Sequence, residues 1–454
     1  MEVIVIVKVN LTLRTWWVRQ RVVVLAAMFF MLFAPAHAAC SLTTDPESGA
    51  YQIGTVSDLE AVGTTECAAP DAVFEFAVDE LDLSAMNAPL GDFEGTLSGG
   101  AGGVQLKNLV VSASGSAGLF TKAVGDTAVV KGIEFVNPTL RVDIAQGSST
   151  TRYGFLFSDV TVAAGLSVSD VVVRGATVSV TSVEPDDYNL GGLVGRVGGG
   201  PAKFSNITVE DTSIYVDTGA SNFYAAAVVG RTEVDSVFED IFIADTVTIT
   251  DSLNVSDQSG FDAGGVVGSA VGVAQFSRVH SGVQIMSPRE KAKAGGLVGE
   301  GVTLSVSEYV FIGSVSMTDE SNDLREPADT TKAGGIAGNV STSLSISNSL
   351  IEGALGANWV SALASQDTQS ASAFAASATN MFLNPTFSDP PGRPGFSQYG
   401  AACLEKVGGV AGATARVVCY PNDLTANSFY GPKVQGNSYY DGGWKVFNEV
   451  FTGS

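Results

Sequence analysis

Histidine is almost missing from this chain, with only His37 and His280 in 454 residues. A histidine-rich zinc site cannot be built from two residues, and a Ser-His-Asp triad would have to turn on His280. That residue occupies a polar position of the alternating stretch AQFSRVHSGVQI, which reads as a surface position. Cysteine is scarce as well: Cys40, Cys67, Cys403 and Cys419 occur without a CxxC pair, so a redox or zinc role has little support. Basic residues number 24 against 47 acidic ones, a net charge of −23. Such a chain lacks the basic face that nucleic acids and anionic membranes require. G-x-S-x-G, Walker A and dinucleotide fingerprints are absent, as are EF-hand loops and RTX nonapeptides. No metal and no cofactor is implied, calcium on acidic loops being the one alternative.

The first 38 residues stand apart. Lys8, Arg14, Arg19 and Arg21 face only Glu2, an apolar run VVVLAAMFFMLFAP follows, and Ala36-His37-Ala38 closes the segment. This order of basic, apolar and small-residue regions reads as a secretory signal peptide, residues 1–38. Its apolar core, Val22 to Phe33, is short for a membrane span of about 20 residues, so cleavage is favoured over a retained anchor. His37 stands where a lipoprotein signal has an aliphatic residue, which argues against lipidation of Cys40. Cleavage leaves 20 basic and 46 acidic residues, a net charge near −26, and no membrane insertion of the mature chain is expected. An even number of cysteines in an exported chain suggests disulfides. Three connectivities are open, of which Cys40–Cys67 with Cys403–Cys419 is favoured because each pair is close in sequence. Each bridge would contribute roughly 3 kcal/mol in the chain-entropy model.

What the chain has in abundance is a glycine motif that looks locally unfavourable. GGLVG at Gly191–Gly195 is repeated as AAVVG at Ala226–Gly230, GGVVG at Gly264–Gly268, GGLVG at Gly295–Gly299 and GGIAG at Gly334–Gly338. Counted from the residue before the aliphatic pair, Gly118, Gly154, Gly192, Ala227, Gly265, Gly296 and Gly335 are 36, 38, 35, 38, 31 and 39 residues apart. GGVAG at Gly408–Gly412 lies two further periods on, and SAFAAS, Ser372 to Ser377, reads as a worn copy between. After each motif comes a Val/Ile-rich alternating stretch broken once at a polar or Gly position, such as LSVSDVVVRGATVSV from Leu166 to Val180. That is two short strands joined by a bend, and no window of comparable length shows helical periodicity with caps. About three strands per period, each unit unable to bury its apolar face alone, predict an all-β, right-handed parallel β-helix with capped ends. The glycines are expected where the coil turns sharply or where neighbouring coils approach too closely for a Cβ. A sandwich or propeller is the alternative fold.

The repeated GGLVG resembles the GLUG motif of bacterial extracellular proteins. YQIGTVSDLEAV (Tyr51–Val62) is similar to that family's opening segment. Leu81-Asp82-Leu83-Ser84, Phe93-Glu94-Gly95-Thr96 and Asn108-Leu109 resemble its first coil, and AGLF at Ala117–Phe120 its first short glycine motif. The resemblance covers roughly Tyr51 to Gly338 and continues more weakly to Gly412. It implies a bacterial secreted or cell-surface β-helix of adhesin-like character, and no active site belongs to the motif.

The resulting division is a signal peptide 1–38, an N-terminal cap and first coil 39–95, repeats 96–377, and a C-terminal degenerate coil with an aromatic cap 378–454. Paired carboxylates on a groove would suit glycosidase or lyase chemistry. Candidates are Asp79, Glu80 and Asp82; Glu184, Asp186 and Asp187; and Asp319, Glu320, Asp323 and Glu326. The last two sets read as solvated loops. Polar insertions recur at one phase, just before the glycine motif, which predicts a loop-bearing binding edge. Its expected residues are Tyr153, Asp186, Asp187, Tyr188, Phe223, Tyr224, Phe261, Asp319, Glu320 and Asp323. The expected function is non-catalytic adhesion or surface assembly, with a surface glycan or protein as partner. A polysaccharide-degrading enzyme and a self-associating filament subunit are the alternatives.

Overall fold

The single break in each alternating stretch sets the geometry of the coil. In Leu166 to Val173, apolar side chains enter the core at Leu166 and Val168, then at Val171 and Val173 after a step of three. Asp170 absorbs the extra residue by adopting the left-handed region at φ 55°. The register stacks Gly132, Asp170, Asn206, Asp240, Arg278, Glu308 and Asn348 in successive coils, all with φ between 49° and 69°. Gly, Asn and Asp enter this region at low cost; Arg278 and Glu308 do not, and the ladder on either side holds them there. Asn206 donates to Asp170 at 2.7 Å, and Arg278 donates to Asp240 at 2.6 and 2.8 Å. The break visible in the sequence is therefore a bend built on one stacked position.

The structure is a computed structural model. It describes residues 40–387 apart from 68, 87, 114, 145–149, 183–186, 219–221, 253–259, 290, 318–331, 357–358, 362–363, 366–374 and 384–385. The described residues between 42 and 387 form a parallel β-solenoid of roughly six turns. Three sheets run along it. The first face holds Thr151–Tyr153, Asp187–Gly191, Asn222–Ala226, Gly260–Gly264, Lys291–Gly295, Lys332–Gly334 and Trp359–Ser361. The second face carries the bent strands, continuous in Val267–Ser281, Val298–Phe311 and Ala337–Ile351. The third face runs from Val110–Ala113 to Thr386–Phe387. Aromatic side chains stack down the core: Phe204, Phe238 and Phe276 lie 5.1 and 4.9 Å apart between centroids, within 10° of parallel.

The glycine motif forms the corner between the first and second faces. None of Gly192, Gly265 and Gly296 has a positive φ; close approach is what excludes a side chain. A Cβ on Gly192 would stand 2.0 Å from the Ala227 carbonyl oxygen, and one on Gly296 would meet Phe311 Cδ2 at 2.4 Å. Leu297 and Val298 are fully buried beside it. The last glycine of each motif, Gly195, Gly230, Gly268, Gly299 and Gly338, presses on the backbone of the preceding coil. Its place is taken by Thr121 and Ser158 in the two copies at the start of the solenoid. Beneath the Ser158 copy, the described residues offer the first-face strand Thr151–Tyr153 only an isolated bridge, from Ala117 to Tyr153.

Three details differ from the sequence reading. Phe157 pairs with both Phe120 and Val194, so Phe155 rather than Gly154 is the counterpart of Gly118 and Gly192, and both spacings are 37 residues. SAFAAS is not the worn motif: Ser361 pairs with Gly334 and Ala364 with Ala337, placing the copy at Ser361–Ser365. The reason is that only two residues separate the Ala354–Gly356 and Trp359–Ser361 strands, which advances the phase. A helix also forms at Val56–Val62, where Thr55 and Asp58 make a capping box and Leu59 and Val62 are buried. Cys40 and Cys67 are disulfide-bonded, as expected. Cys403, Cys419 and the 388–454 segment lie outside the described residues.

Candidate functional site

The corner is concave, because side chains seven residues apart on its two sides meet. Arg152 lies 3.3 Å from Asp159, Lys293 2.8 Å from Glu300, and Lys332 donates to Asn339 at 3.3 Å. Parallel register then turns each side into a row. Arg152, Asn189, Tyr224, Asp262, Lys293 and Lys332 stack on the first face. Lys122, Asp159, Arg196, Arg231, Ser269, Glu300 and Asn339 stack on the second. The result is a cleft lined by polar side chains across six coils, or about 24 Å at a strand spacing of ~4.8 Å.

Charge in the cleft runs against that of the chain. Together with the adjoining Glu233, it gathers six of the 24 Lys and Arg residues and only four of the 47 Asp and Glu. Asp187 and Lys291 at the rim add one of each sign. At one end, Arg152 and Arg196 both reach Asp159 at 3.3 Å, and Arg196 and Arg231 reach Glu233 at 2.5 and 3.3 Å. The Arg196 guanidinium holds the Glu233 carboxyl below its ordinary range. Arg231 also lies over the Tyr224 ring, 5.0 Å from its centroid. Burial pushes the Tyr224 hydroxyl up.

The other end holds a carboxyl pair. Burial raises Asp262 to about 7, against the pull of Lys293 at 3.9 Å, and the neighbouring Glu300 carboxylate raises it further. Burial also works against the Glu300 carboxylate, yet Lys293 together with hydrogen bonds from Asp262 and Asn339 lowers that group. Asp262 and Glu300 in turn hold Lys293 up despite its burial. One proton shared between Asp262 and Glu300 beside an ammonium is the arrangement that keeps a carboxyl neutral near pH 7.

Of the expected edge residues, Tyr153, Tyr188, Phe223 and Phe261 are fully buried and stack in the core, 6.4, 5.7 and 6.0 Å apart in sequence order. They cannot contact a ligand. Their phase puts them inward, and the polar residues before them conceal this in the sequence. Tyr224, one position on, faces the cleft, and Asp187 sits at its rim bonded to Asn222 at 2.8 Å. Asp186, Asp319, Glu320 and Asp323, with most of the loop edge, lie outside the described residues. Asp79 and Glu80 line a separate cleft of about 700 Å³ with Gln105, Glu134, Asp170 and Asn206. Three of its carboxylates are bound: Lys107 holds Glu80, Gln105 donates to Glu134 at 2.9 Å and Asn206 to Asp170 at 2.7 Å. Asp82 is exposed and lowered by the Ser84 backbone N–H. His280 is half-buried against Phe242 with centroids 4.9 Å apart, and burial lowers it. Among the described residues, no group of three or more metal-ligating side chains is gathered, and no helix is long and apolar enough to cross a membrane.

Sequence reasoning missed the cleft. The signal was present as a polar residue two before the paired small residues and another seven later, repeated six times from Arg152/Asp159 to Lys332/Asn339.

No family model and no curated protein matches the sequence. Among solved structures, the chain is similar to a "putative immunoglobulin A1 protease" from Bacteroides ovatus. The identity is 14%, the TM-score 0.44, and the match covers 64% of this chain and 84% of that one.

Proposed function

We propose that the protein is an exported surface or matrix solenoid acting in adhesion, and that it holds an extended glycan along the corner cleft without cleaving it. The observation that carries this reading is the unbroken double row of buried and half-buried polar side chains over six coils. Planar groups such as Tyr224, Asn189 and the guanidinium groups suit sugar rings and hydroxyls. A deep pocket for a small molecule is not what a row of this length offers. The Cys40–Cys67 disulfide and the signal-like N-terminus support export to an oxidising compartment. GLUG-type proteins, which the repeats resemble, are of this surface class.

A hydrolytic or lyase reading draws on one observation, the Asp262–Glu300 pair beside Lys293. One experiment separates the two. The secreted chain is passed over immobilised extracellular polysaccharides, and both retention and new chain ends are recorded. Retention without new ends is expected; new ends would move the reading to catalysis at Asp262.

A further inference from the structure

Three buried polar atoms in adjoining coils of the cleft have no hydrogen-bond partner: Arg152 Nε, Asn189 Oδ1 and Arg231 Nε. Asn189 is the telling one, at 2% exposure. Its chain neighbours Tyr188 and Leu190 enter the core, so alternation turns Asn189 to the cleft side, between Arg152 and Tyr224 in the register. An unpaired buried carbonyl or guanidinium N–H costs about 1–3 kcal/mol, which a ligand that supplies the missing partner recovers. Arg231 Nε is only 3.3 Å from Glu233 yet out of line for a hydrogen bond.

The unmet demand is mixed. Two guanidinium N–H groups lack an aligned hydrogen-bond acceptor, while one carbonyl oxygen lacks a donor. A unit bearing both a carboxylate and hydroxyls meets it: the carboxylate takes the guanidinium N–H groups and a ring hydroxyl donates to Asn189. Charge agrees. Lys122, Arg152, Arg196 and Arg231 stack at this end with Asp159, Glu233 and the rim carboxylate of Asp187, a local excess of cations on a chain of net charge −23. Elsewhere the acidic surface repels polyanions, so this end of the cleft is where one can settle.

We propose that the Arg152–Asn189–Arg231 end of the cleft is a uronate subsite, so that the glycan held by this protein is an acidic polysaccharide. This rests on the reading of the cleft as a glycan-binding surface. Binding therefore weakens with salt, and each missing guanidinium costs at least about tenfold in affinity.

The test uses the secreted chain with polygalacturonate, alginate and hyaluronan, and with fully methyl-esterified polygalacturonate, which keeps the sugar backbone and loses the charge. Polyglutamate serves as the anionic peptide. Retention of an acidic glycan but not of the ester, lost on Arg152→Gln and on Arg231→Gln but kept on Arg141→Gln, an exposed arginine of the third face, is expected. Thermal melts of each variant separate lost binding from lost folding, and Asn189→Asp, which sets a carboxylate against the ligand, gives a second route to the same loss. Equal retention of acid and ester overturns the uronate subsite while leaving glycan binding intact. Retention of polyglutamate alone, or of no polymer, overturns both.

Discussion

Gly268→Ala isolates the physical reason for the repeated motif. An added Cβ would stand 2.5 Å from the Gly230 carbonyl oxygen, 2.8 Å from the Ala225 nitrogen and 3.0 Å from the Tyr224 carbonyl carbon. All three are backbone atoms of the preceding coil, so no side-chain rotation relieves the contact. The two coils must separate locally, and overpacking of this kind costs about 1–3 kcal/mol. At a urea slope of about 3 kcal/mol/M, a loss of about 2 kcal/mol lowers the midpoint by about 0.7 M. Gly102→Ala is the matched control, since nothing lies within 4 Å of its added Cβ. Urea titration followed by far-UV circular dichroism reads both. Equal midpoints for Gly268→Ala and wild type would refute close approach as the origin of the motif.

Gly296→Val should lose more than about 1 kcal/mol for the same reason, through Phe311 and the Gly335 carbonyl, with an unchanged urea midpoint counting against it. Arg289 and Asp251 form a fully buried ion pair at 2.6 Å, and Arg289 also donates to the Thr218 carbonyl at 2.6 Å. Arg289→Met alone should cost about 3–5 kcal/mol, and Arg289→Met with Asp251→Leu should recover most of it; equal midpoints for single and double variants would contradict this. Asp262 has a folded value near 7 against an ordinary 3.8. The folded state therefore keeps a proton that the unfolded chain releases, and its contribution falls as pH rises from about 4 to about 7. Asp262→Asn should flatten the midpoint-against-pH curve in that window, and an unchanged slope would remove the shared proton.

The solenoid was legible because its causes are local. Alternation, the polar break at Asp170 and its counterparts, and the glycine corner each announce themselves within a few residues. The site was not, because it exists only in register. Arg152 and Asn189 are neighbours through a ladder that joins residues 37 positions apart, and Arg152 meets Asp159 only because the intervening chain folds at the corner. The same phase error that hid the cleft sent Tyr188 and Phe223 to the surface: polar loops end one residue before them, and the inward position follows at once. Arg289 was concealed similarly, since it belongs to one of the polar insertions before the glycine motif while its side chain is 1% exposed.

The corner cleft is the proposed contact surface. The direct measurement is retention of the secreted chain on an immobilised glycan that wild type holds, repeated with Tyr224→Ser and Arg196→Ser together in the cleft and with Tyr215→Ser on the third face. Loss of retention in the cleft variant alone, with both variants melting as wild type, is the predicted result. Full retention by the cleft variant, or equal loss from the third-face change, would contradict it.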